Sequence, residues 1–279
     1  MTVASKSPSA LPYVDAVLNY LAPAAERPRH YAGQLEQDGR HPPAAYERCR
    51  VQIQDVRAAT ASLSLDVEGC RLVEHESAVS DFWDDGEVRR TYYPEAESLI
   101  VAATGASWAF VFDHTTRRRI FGLPDRTPGA PRQPTLQVQA DYTELSASRR
   151  LRDLVGRAAD SLLRRRFAIV SVWRPIRGPL HDAPLALCDA SSLQPDELTA
   201  ADLIYRDRVG EVYDVTYSPR HRWLYVSGMR PNEALLFKGY DSSREVARFV
   251  PHSSFEDPSA PADRLIQESM EVRAFAFFS

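Results

Sequence analysis

The sequence predicts a mainly β protein, a β-sandwich or barrel with helices packed against it. Three features favour this class. Short strand-like runs separated by turn residues fill the chain from residue 167 onwards. Only two stretches show a convincing helical period of apolar residues. The chain also lacks the Gly-rich phosphate loops that mark nucleotide-binding α/β folds.

Length and composition limit the class further. With 279 residues, of which 44% are hydrophobic, the chain can form one large domain or two small ones around a real core. A net charge of −4 argues against a nucleic-acid partner. Three cysteines without a CxxC motif, no signal-peptide pattern and no apolar run of membrane-spanning length indicate a cytoplasmic protein.

The first third of the chain predicts few regular elements. Residues 1–10 are predicted to be disordered, and residues 14–21 fit either an edge strand or a short helix. The Pro-rich segment 23–43 predicts a surface arm, so we divide the chain into an N-terminal arm, 1–45, and a single domain, 46–279. Alternating apolar and polar residues at 51–56 predict a half-buried strand.

Two helices are predicted to support the β core, near residues 94–104 and 147–165. The first has a proline at its start and Gly105 just past its end, which is the expected asymmetry of helix termini. The second has apolar residues at intervals of three and four, with arginines on its other face. Between them lie an apolar strand at 108–112, a Pro-rich loop at 123–134 and a short strand at 136–142.

The last third predicts a series of strands. Apolar runs at 167–173 and 184–188 fit buried strands, and 211–217 and 223–226 flank a turn that reads as a hairpin. Further strands are predicted at 234–238, 247–250 and 270–278.

Eight segments, taken in order, carry a resemblance to a known family. They are VFDHT at 111–115, VQADYT at 138–143, VWRPI at 172–176, PLALCD at 184–189, HRWLY at 221–225, EALLFK at 233–238, PHSSF at 251–255 and ESMEVR at 268–273. In order and spacing the chain resembles the gibberellin-desaturase-like hydroxylase/desaturase family. That family includes fungal secondary-metabolite enzymes and a component of the cephamycin methoxylation system.

The resemblance implies a double-stranded β-helix, the cupin-like jelly roll of iron(II)/2-oxoglutarate oxygenases. It also implies a metal site with two histidines and one carboxylate. Asp141 matches the carboxylate, but Gln139 stands at the usual position of the first histidine. His252 is the candidate second histidine, with His221 as its competitor. His114 is a possible replacement for the missing ligand.

A cation should hold the distal carboxylate of 2-oxoglutarate in such a site. The family has an arginine where this chain has Gln267, and a second arginine six residues later, which is retained as Arg273. Arg174, at a predicted strand end, is another candidate because its planar fork binds carboxylates through two hydrogen bonds. Fe(II) and 2-oxoglutarate are therefore the expected cofactors, on an altered site.

Three functions follow from these observations. The first is a dioxygenase-like oxidoreductase of secondary, antibiotic-type metabolism that hydroxylates or desaturates a small molecule. The second is an accessory or non-oxidative descendant that binds a metabolite and assists a partner enzyme, as in cephamycin methoxylation. The third is a non-catalytic interaction barrel. The expected partners are a small-molecule substrate and, for the accessory role, a partner enzyme of the same pathway, with no nucleic acid and no membrane.

Overall fold

The computed structural model describes residues 11–24, 26–31 and 43–279 of the chain. Within them, fourteen strands form the body of the molecule. They are β1 Tyr13–Leu21, β2 Arg29–Tyr31, β3 Tyr46–Asp55, β4 Cys70–Glu74, β5 Trp108–Arg118, β6 Gln139–Ala140, β7 Phe167–Pro175, β8 Leu185–Cys188, β9 Leu198–Ile204, β10 Val209–Val215, β11 Trp223–Tyr225, β12 Glu233–Asp241, β13 His252–Ser254 and β14 Glu268–Phe277.

Helices are few and lie outside the strands, as predicted. The α-helices are α1 Asp85–Glu87, α2 Tyr93–Thr104, α3 Glu144–Val155 and α4 Ala159–Leu162, with a π turn at Val88–Tyr92. Short 3-10 turns lie at Arg57–Ser62, Gly156–Ala158, Ala190–Ser192 and Pro195–Glu197. In the part of the chain that the structure describes, no helix has the length and apolar character needed to span a membrane.

Two sheets make up the fold. The larger has nine strands in the order β1-β3-β11-β8-β13-β6-β10-β9-β2, and the smaller has five in the order β4-β12-β7-β14-β5. The larger sheet curls on itself, because β1 also bridges to Gln137 and to Thr216 near the opposite end of the sheet. This curl leaves a hollow between the sheets at the side where β6 and β10 lie.

Alternation along the strands of the smaller sheet separates two cores. Val172 and Val272 point outward and pack beneath α2, against Ala96 and Ile100. Trp173, one residue away, points inward with Leu235 and Phe237 and meets Leu187 and Leu224 of the larger sheet. Side chains at odd positions near 171–173 and 271–273 therefore face the interior between the sheets, and their neighbours face α2.

The predicted helix near 94–104 is confirmed. Pro94 stands in its first turn, where a missing N–H costs nothing. Gly105 ends the helix in the left-handed conformation, with a φ of 71° that a residue with a Cβ rarely adopts.

The predicted helix at 147–165 is interrupted. Thr143 caps α3 by accepting a hydrogen bond from the Ser146 backbone N–H. At Gly156 the backbone turns to a φ of 58° and a ψ of −129°, which lies outside the helical region. The segment therefore continues as a 3-10 turn and the separate short helix α4.

Two strand predictions in the last third were wrong. Residues 247–250 form no strand, because the N–H groups of Ala247 and Val250 bond singly to the carbonyls of Asp66 and Lys238. The predicted hairpin across 218–221 is also absent: β10 pairs with β9, while β11 crosses over to pair with β3 and β8. The hairpin that does form joins β9 to β10, and no strand was predicted at β9.

The N-terminal segment supplies both edges of the larger sheet. Of the two alternatives for residues 14–21, the edge strand is confirmed as β1. Part of the predicted arm forms β2, which pairs in parallel with β9 at the other edge. The predicted disorder of residues 1–10, and the rest of the arm at 25 and 32–42, lie outside the described residues.

Candidate active site

The short strand β6 brings two polar side chains to the hollow between the sheets. Val138 and Ala140 are fully buried, so Gln139 and Asp141, which alternate with them, point the other way and line the cavity. On the neighbouring strand β13, His252 lies directly opposite Gln139. Residues more than a hundred positions apart in the chain therefore meet across one pair of strands.

A carboxylate and an imidazole converge at this point. Asp141 Oδ1 lies 3.6 Å from His252 Nε2. Gln139 Nε2 lies 3.2 Å from the same carboxylate oxygen. His252 Nδ1 donates to the Val250 carbonyl at 3.1 Å, which fixes the orientation of the ring and leaves Nε2 facing Asp141.

Arg273 holds the other side of the carboxylate. Its Nε donates to Asp141 Oδ2 at 3.0 Å and lies 3.3 Å from Glu271 Oε1. Its Nη1 donates to Asp113 Oδ1 at 3.0 Å. One guanidinium thus joins three carboxylates, and Asp141 keeps only Oδ1 directed at His252 and Gln139.

Neighbouring opposite charges favour the ionised form of each group in this cluster. Burial raises the pKa of Asp141, but Arg273 and His252 outweigh it and hold that pKa well below its usual range. Burial lowers the pKa of His252, and the Asp141 carboxylate more than reverses this, so the pKa lies above its ordinary value. Glu271 and Asp141 likewise raise the pKa of Arg273 despite its burial.

The side chains at this point could bind a divalent metal ion, but more weakly than two histidines and one carboxylate would. Two ligands bonded to one ion at about 2.1 Å each are separated by about 3–4 Å, and the Oδ1–Nε2 and Oδ1–amide separations fall in that interval. The O and N atoms of the Gln139 amide are alike in shape, and exchanging them would present its oxygen as a third ligand atom. Among the described residues, however, no group of three His, Cys, Asp or Glu side chains converges on one point.

The surrounding cavity is large and polar. It has a volume of about 820 Å³, and its described walls carry eight arginines and five carboxylates. Arg149, Arg150 and Ser146 reach it from α3, and Asp113, Thr115 and Arg117 reach it from alternate positions of β5. The predicted helix thus contributes to the cavity through the arginines on its polar face.

Arg174 does not belong to this cavity, so its predicted role as a carboxylate anchor was wrong. It shares the outward face of β7 with Val172, where its guanidinium lies over the rings of Phe82 and Tyr92. Its Nη2 donates to the His75 carbonyl at 2.7 Å. Only 1% of the residue is exposed, so it is a buried structural cation.

Gln267 also lies outside the cavity. It precedes β14, six residues from Arg273, which corresponds to roughly 20 Å along an extended strand. Its backbone N–H donates to Asp182 at 3.0 Å, and its side-chain Oε1 is buried without a hydrogen bond in the described structure. In this chain the glutamine therefore cannot contact a ligand held at Asp141.

Neither alternative histidine replaces the missing ligand. His114 points to the α2 side, where it bonds to the Tyr93 hydroxyl at 2.9 Å. His221 was expected at an exposed turn, but its side chain is only 1% exposed and binds Glu197 at 3.0 Å. His221 also forms a hydrogen bond of 3.0 Å with the Tyr20 hydroxyl, so it stabilises the core.

The sequence reasoning missed a second polar cluster on the cavity wall. His30 of β2 lies 2.8 Å from Oδ2 of Asp214, which is fully buried on β10. The Tyr46 hydroxyl donates to the same carboxylate at 3.1 Å. His30 lies in the segment predicted as a surface arm, and no local pattern there indicated that it would reach the cavity.

The fold and the cavity define the class of this protein. A curled two-sheet β scaffold that pairs a carboxylate with an imidazole beside one polar cavity is typical of jelly-roll oxidoreductases of the non-haem type. Comparisons with known proteins give the family. A model described as "Oxidoreductase/YMDC permease-like domain" matches residues 18–277, and the chain belongs to that family.

Named relatives agree with this assignment. The hydroxylase/desaturase efuI of Hormonema carpetanum is 30% identical over 100% of this chain and 98% of its own length. The Fe(II)/2-oxoglutarate-dependent dioxygenase nvfI of Aspergillus novofumigatus is 31% identical over 82% of this chain and 83% of its own. The solved structure of the iron and alpha-ketoglutarate-dependent endoperoxidase NvfI matches with a TM-score of 0.86 at 26% identity, covering 96% of this chain and 98% of that one.

These findings confirm three of the predictions. The resemblance to hydroxylase/desaturase enzymes holds over nearly the whole chain. The fold is the predicted jelly roll. The chain is an oxidoreductase, and its fungal relatives include named dioxygenases and the aspirochlorine biosynthesis protein N of Aspergillus oryzae.

Proposed function

We propose that this chain is an oxygenase of specialised metabolism that hydroxylates or desaturates a small organic molecule bound in the cavity. Fe(II) and 2-oxoglutarate are the proposed cofactors. The proposed metal ligands are Asp141 and His252, with Gln139 as a weak third ligand through its amide oxygen. The observation that carries the proposal is the 3.6 Å separation of Asp141 Oδ1 and His252 Nε2 at the cavity wall.

The residues around this pair support a metal role. A metal-binding histidine usually donates its other ring N–H to a carbonyl or carboxylate, as His252 does to Val250. Arg273 occupies Oδ2 of Asp141 and so directs Oδ1 towards the proposed ion. Its Nη2 makes no hydrogen bond to the described residues, and we propose that it contacts a carboxylate of 2-oxoglutarate.

The protein and its proposed cofactors would have different roles in the reaction. When bound, iron(II) with 2-oxoglutarate would supply the oxidising chemistry that no side chain can provide. The protein binds the substrate in the cavity, orients it against the Asp141–His252 pair, and keeps both side chains in fixed protonation states. Gln139 makes the site weaker than one with two histidines, because a neutral amide oxygen binds iron(II) less well than an imidazole.

Anaerobic metal titration tests this proposal. Mn(II), and Fe(II) with 2-oxoglutarate, should bind to the full chain at one site, and the iron complex should show a visible charge-transfer band. Asp141→Asn should weaken binding by at least tenfold. Asp153→Asn, which removes another carboxylate from the cavity wall, is the matched control and should leave binding unchanged. Absence of both metal binding and the band would exclude the proposal.

A second candidate function remains because of Gln139. Loss of one strong ligand favours a non-oxidative or accessory role, in which the cavity binds a metabolite and a partner enzyme performs the oxidation. Activity or stimulation of a partner enzyme that survives EDTA would support this role. Complete loss of activity with EDTA would exclude it.

We also propose that residues 46–279 form one domain to which the preceding segment contributes edge strands. A cytoplasmic location is proposed because all three cysteines, Cys49, Cys70 and Cys188, are free thiols.

A further inference from the structure

The charge of the cavity is opposite to that of the whole chain. The chain carries a net charge of −4, whereas arginines outnumber carboxylates by eight to five on the described cavity walls. Confined positive charge of this kind concentrates anions and binds them. The excess is not spread evenly, because most of the arginines near Asp141 and α3 have carboxylate partners.

One end of the cavity carries much of this excess. Three arginines, Arg117, Arg126 and Arg132, share a single carboxylate, Asp125; we call these three the arginine cluster. The Arg132 guanidinium donates two hydrogen bonds, of 2.9 and 2.8 Å, to the Asp125 carboxylate. Arg126 Nε lies 3.8 Å from the same group. Two positive charges in the cluster are therefore left without a carboxylate of their own.

Arg117 is the clearest unpaired cation. It extends from β5 on the same side as Asp113 and Thr115, which also line the cavity. Its Nη1 donates to the Gln133 carbonyl at 2.7 Å. No carboxylate among the described residues lies within 4.0 Å of its guanidinium, so a neutral carbonyl is its fixed partner.

Arg126 is held in an unfavourable backbone conformation. Its φ is 63°, in the left-handed region that residues with a Cβ rarely occupy. Such conformations persist where the surrounding structure enforces them, and they concentrate at ligand-binding sites. Here the conformation belongs to the Pro-rich loop that forms this end of the cavity and places a third guanidinium beside the other two.

Electrostatics agree with the geometry. Burial lowers the pKa of Arg117 to about 10; Glu271 opposes this, and the nearby charges of Arg132 and Arg273 add to it. Burial and Arg132 lower the pKa of Arg126 in the same way. Crowded, partly desolvated cations are stabilised by a bound anion, and guanidinium groups match the geometry of carboxylates and phosphates.

The cluster is separate from the Asp141–His252 pair. Asp113, which binds Arg273, stands four residues before Arg117 on β5, or roughly 13 Å along the strand. The Arg117 guanidinium is directed to the Gln133 carbonyl, and no hydrogen bond joins it to Asp113 or Arg273. The cluster therefore lies further along the cavity wall than Asp113 and Arg273.

We propose that the arginine cluster binds an oxyanion, a carboxylate or a phosphate, that the organic substrate carries. The substrate would lie along the cavity with its anionic end at Arg117, Arg126 and Arg132 and its reacting part beside Asp141 and His252. The position of the reacting part rests on the proposed function. The binding of the anion does not, because it needs neither metal nor turnover.

Calorimetric titration of the EDTA-treated full chain tests the proposal. The probes are phenyl phosphate and benzoate, with neutral benzamide as the uncharged control. At least one anion should bind, benzamide should not, and the tighter anion identifies the group on the substrate. Arg117→Gln and Arg126→Gln should each weaken binding by ten- to a hundredfold, as expected for lost charge-assisted hydrogen bonds.

Two further variants control for charge and folding. Arg244→Gln removes the same charge from a side chain that is 81% exposed outside the cavity, and it should leave the affinity unchanged. Arg126→Gly removes the guanidinium and relieves the backbone, so it should lose anion binding while its Tm stays the same or rises.

Three outcomes would overturn the proposal. The parent chain could bind neither anion, or Arg117→Gln and Arg126→Gln could bind the anion as tightly as the parent chain does. In the third, Arg126→Gln loses 2-oxoglutarate binding to the same extent as it loses anion binding. The last would assign the cluster to the cosubstrate. Mn(II) titration of Arg126→Gln separates the two proposals. Normal metal affinity with lost anion binding supports both, and failure of metal binding in the parent chain leaves the anion result intact.

Discussion

At the scale of single residues, Gln139 decides how strong the proposed metal site can be. It lies opposite His252 and beside Asp141, the two proposed metal ligands. Its chemistry is weaker, because the amide oxygen is neutral and must be turned towards the ion. The proposed site therefore differs at one ligand position only, since Asp141 keeps its contacts with His252 and Arg273.

Restoring an imidazole at this position should strengthen the site. We expect Gln139→His to raise the affinity for Mn(II) by about tenfold or more, equivalent to ~1.4 kcal/mol, as measured by calorimetry. Gln137→His is the matched control, because Gln137 lines the same cavity two residues earlier on the chain. An equal gain in both variants would show that Gln139 has no special place.

Arg273 should matter for stability as well as for ligand binding. Arg273→Gln leaves Asp141 and Glu271 as buried carboxylates without their cation, and removal of one partner from such a cluster costs about 3–5 kcal/mol. Urea unfolding measures the change in the free energy of unfolding. The exposed control Arg244→Gln should change it by less than ~0.5 kcal/mol. A small effect of Arg273→Gln would mean that the cluster relaxes into solvent.

At the scale of elements, strand parity assigns each side chain to one of two environments. Asp113 and Arg273 face the cavity. His114, one position from Asp113 on β5, and Arg174, one position from the inward-facing Trp173 on β7, face α2. A shift of one residue in register would exchange these two sets. Parity therefore explains why two of the sequence candidates fell outside the cavity.

Helix α3 depends on its N-terminal cap, which lies next to the cavity. The Thr143 hydroxyl accepts from the Ser146 N–H at 3.0 Å and donates to Glu211 of β10. Thr143→Ala should cost about 1–2 kcal/mol of the free energy of unfolding. Ser148→Ala, within the same helix, should cost nothing, because alanine favours a helix interior. Thermal or urea unfolding distinguishes the two, and equal effects would argue against the cap.

At the scale of the whole molecule, contacts between distant ends of the larger sheet close the fold. Tyr46 of β3 and His30 of β2 both bind Asp214 of β10, so β3, near one end of the sheet order, meets β10 and β2, near the other end, at one buried carboxylate. On the opposite side, Glu197 binds Arg220 at 2.8 Å and His221 at 3.0 Å. These polar clusters fix the curl that forms the cavity.

Acid should weaken this closure in a defined range. Burial raises the pKa of Glu197, but hydrogen bonds from Gln194, Ser218, Arg220 and His221 outweigh it and lower the pKa from 4.5 to about 2. The carboxylate stabilises the fold above pH 4.5, and this contribution, at most about 3 kcal/mol, is lost as the pH falls towards 2.

Urea unfolding between pH 6 and pH 2 measures this loss. Glu197→Gln should be less stable at pH 6 and should show a flatter dependence on pH. Glu245→Gln, at an exposed carboxylate, should keep the parent profile. Parallel profiles for the parent chain and Glu197→Gln would show that the acid sensitivity lies elsewhere.

The sequence by itself determined the local and familial features of this protein. Periodicity and terminal residues were sufficient for α2, and apolar runs for β7 and β14, because these signals depend on neighbours in the chain. The resemblance supplied the jelly roll, the oxidoreductase class and the pairing of Asp141 with His252, whose role as ligands stays a prediction.

Only the tertiary structure decided which polar side chains share the cavity. It placed Arg174, His114 and His221 in structural roles, brought His30 in from the N-terminal segment, and gathered Arg117, Arg126 and Arg132 at one end. The physical reason is that cavity membership depends on strand parity and on the curl of the larger sheet. Both arise from pairings between strands far apart in the chain, and no local pattern of residues records them.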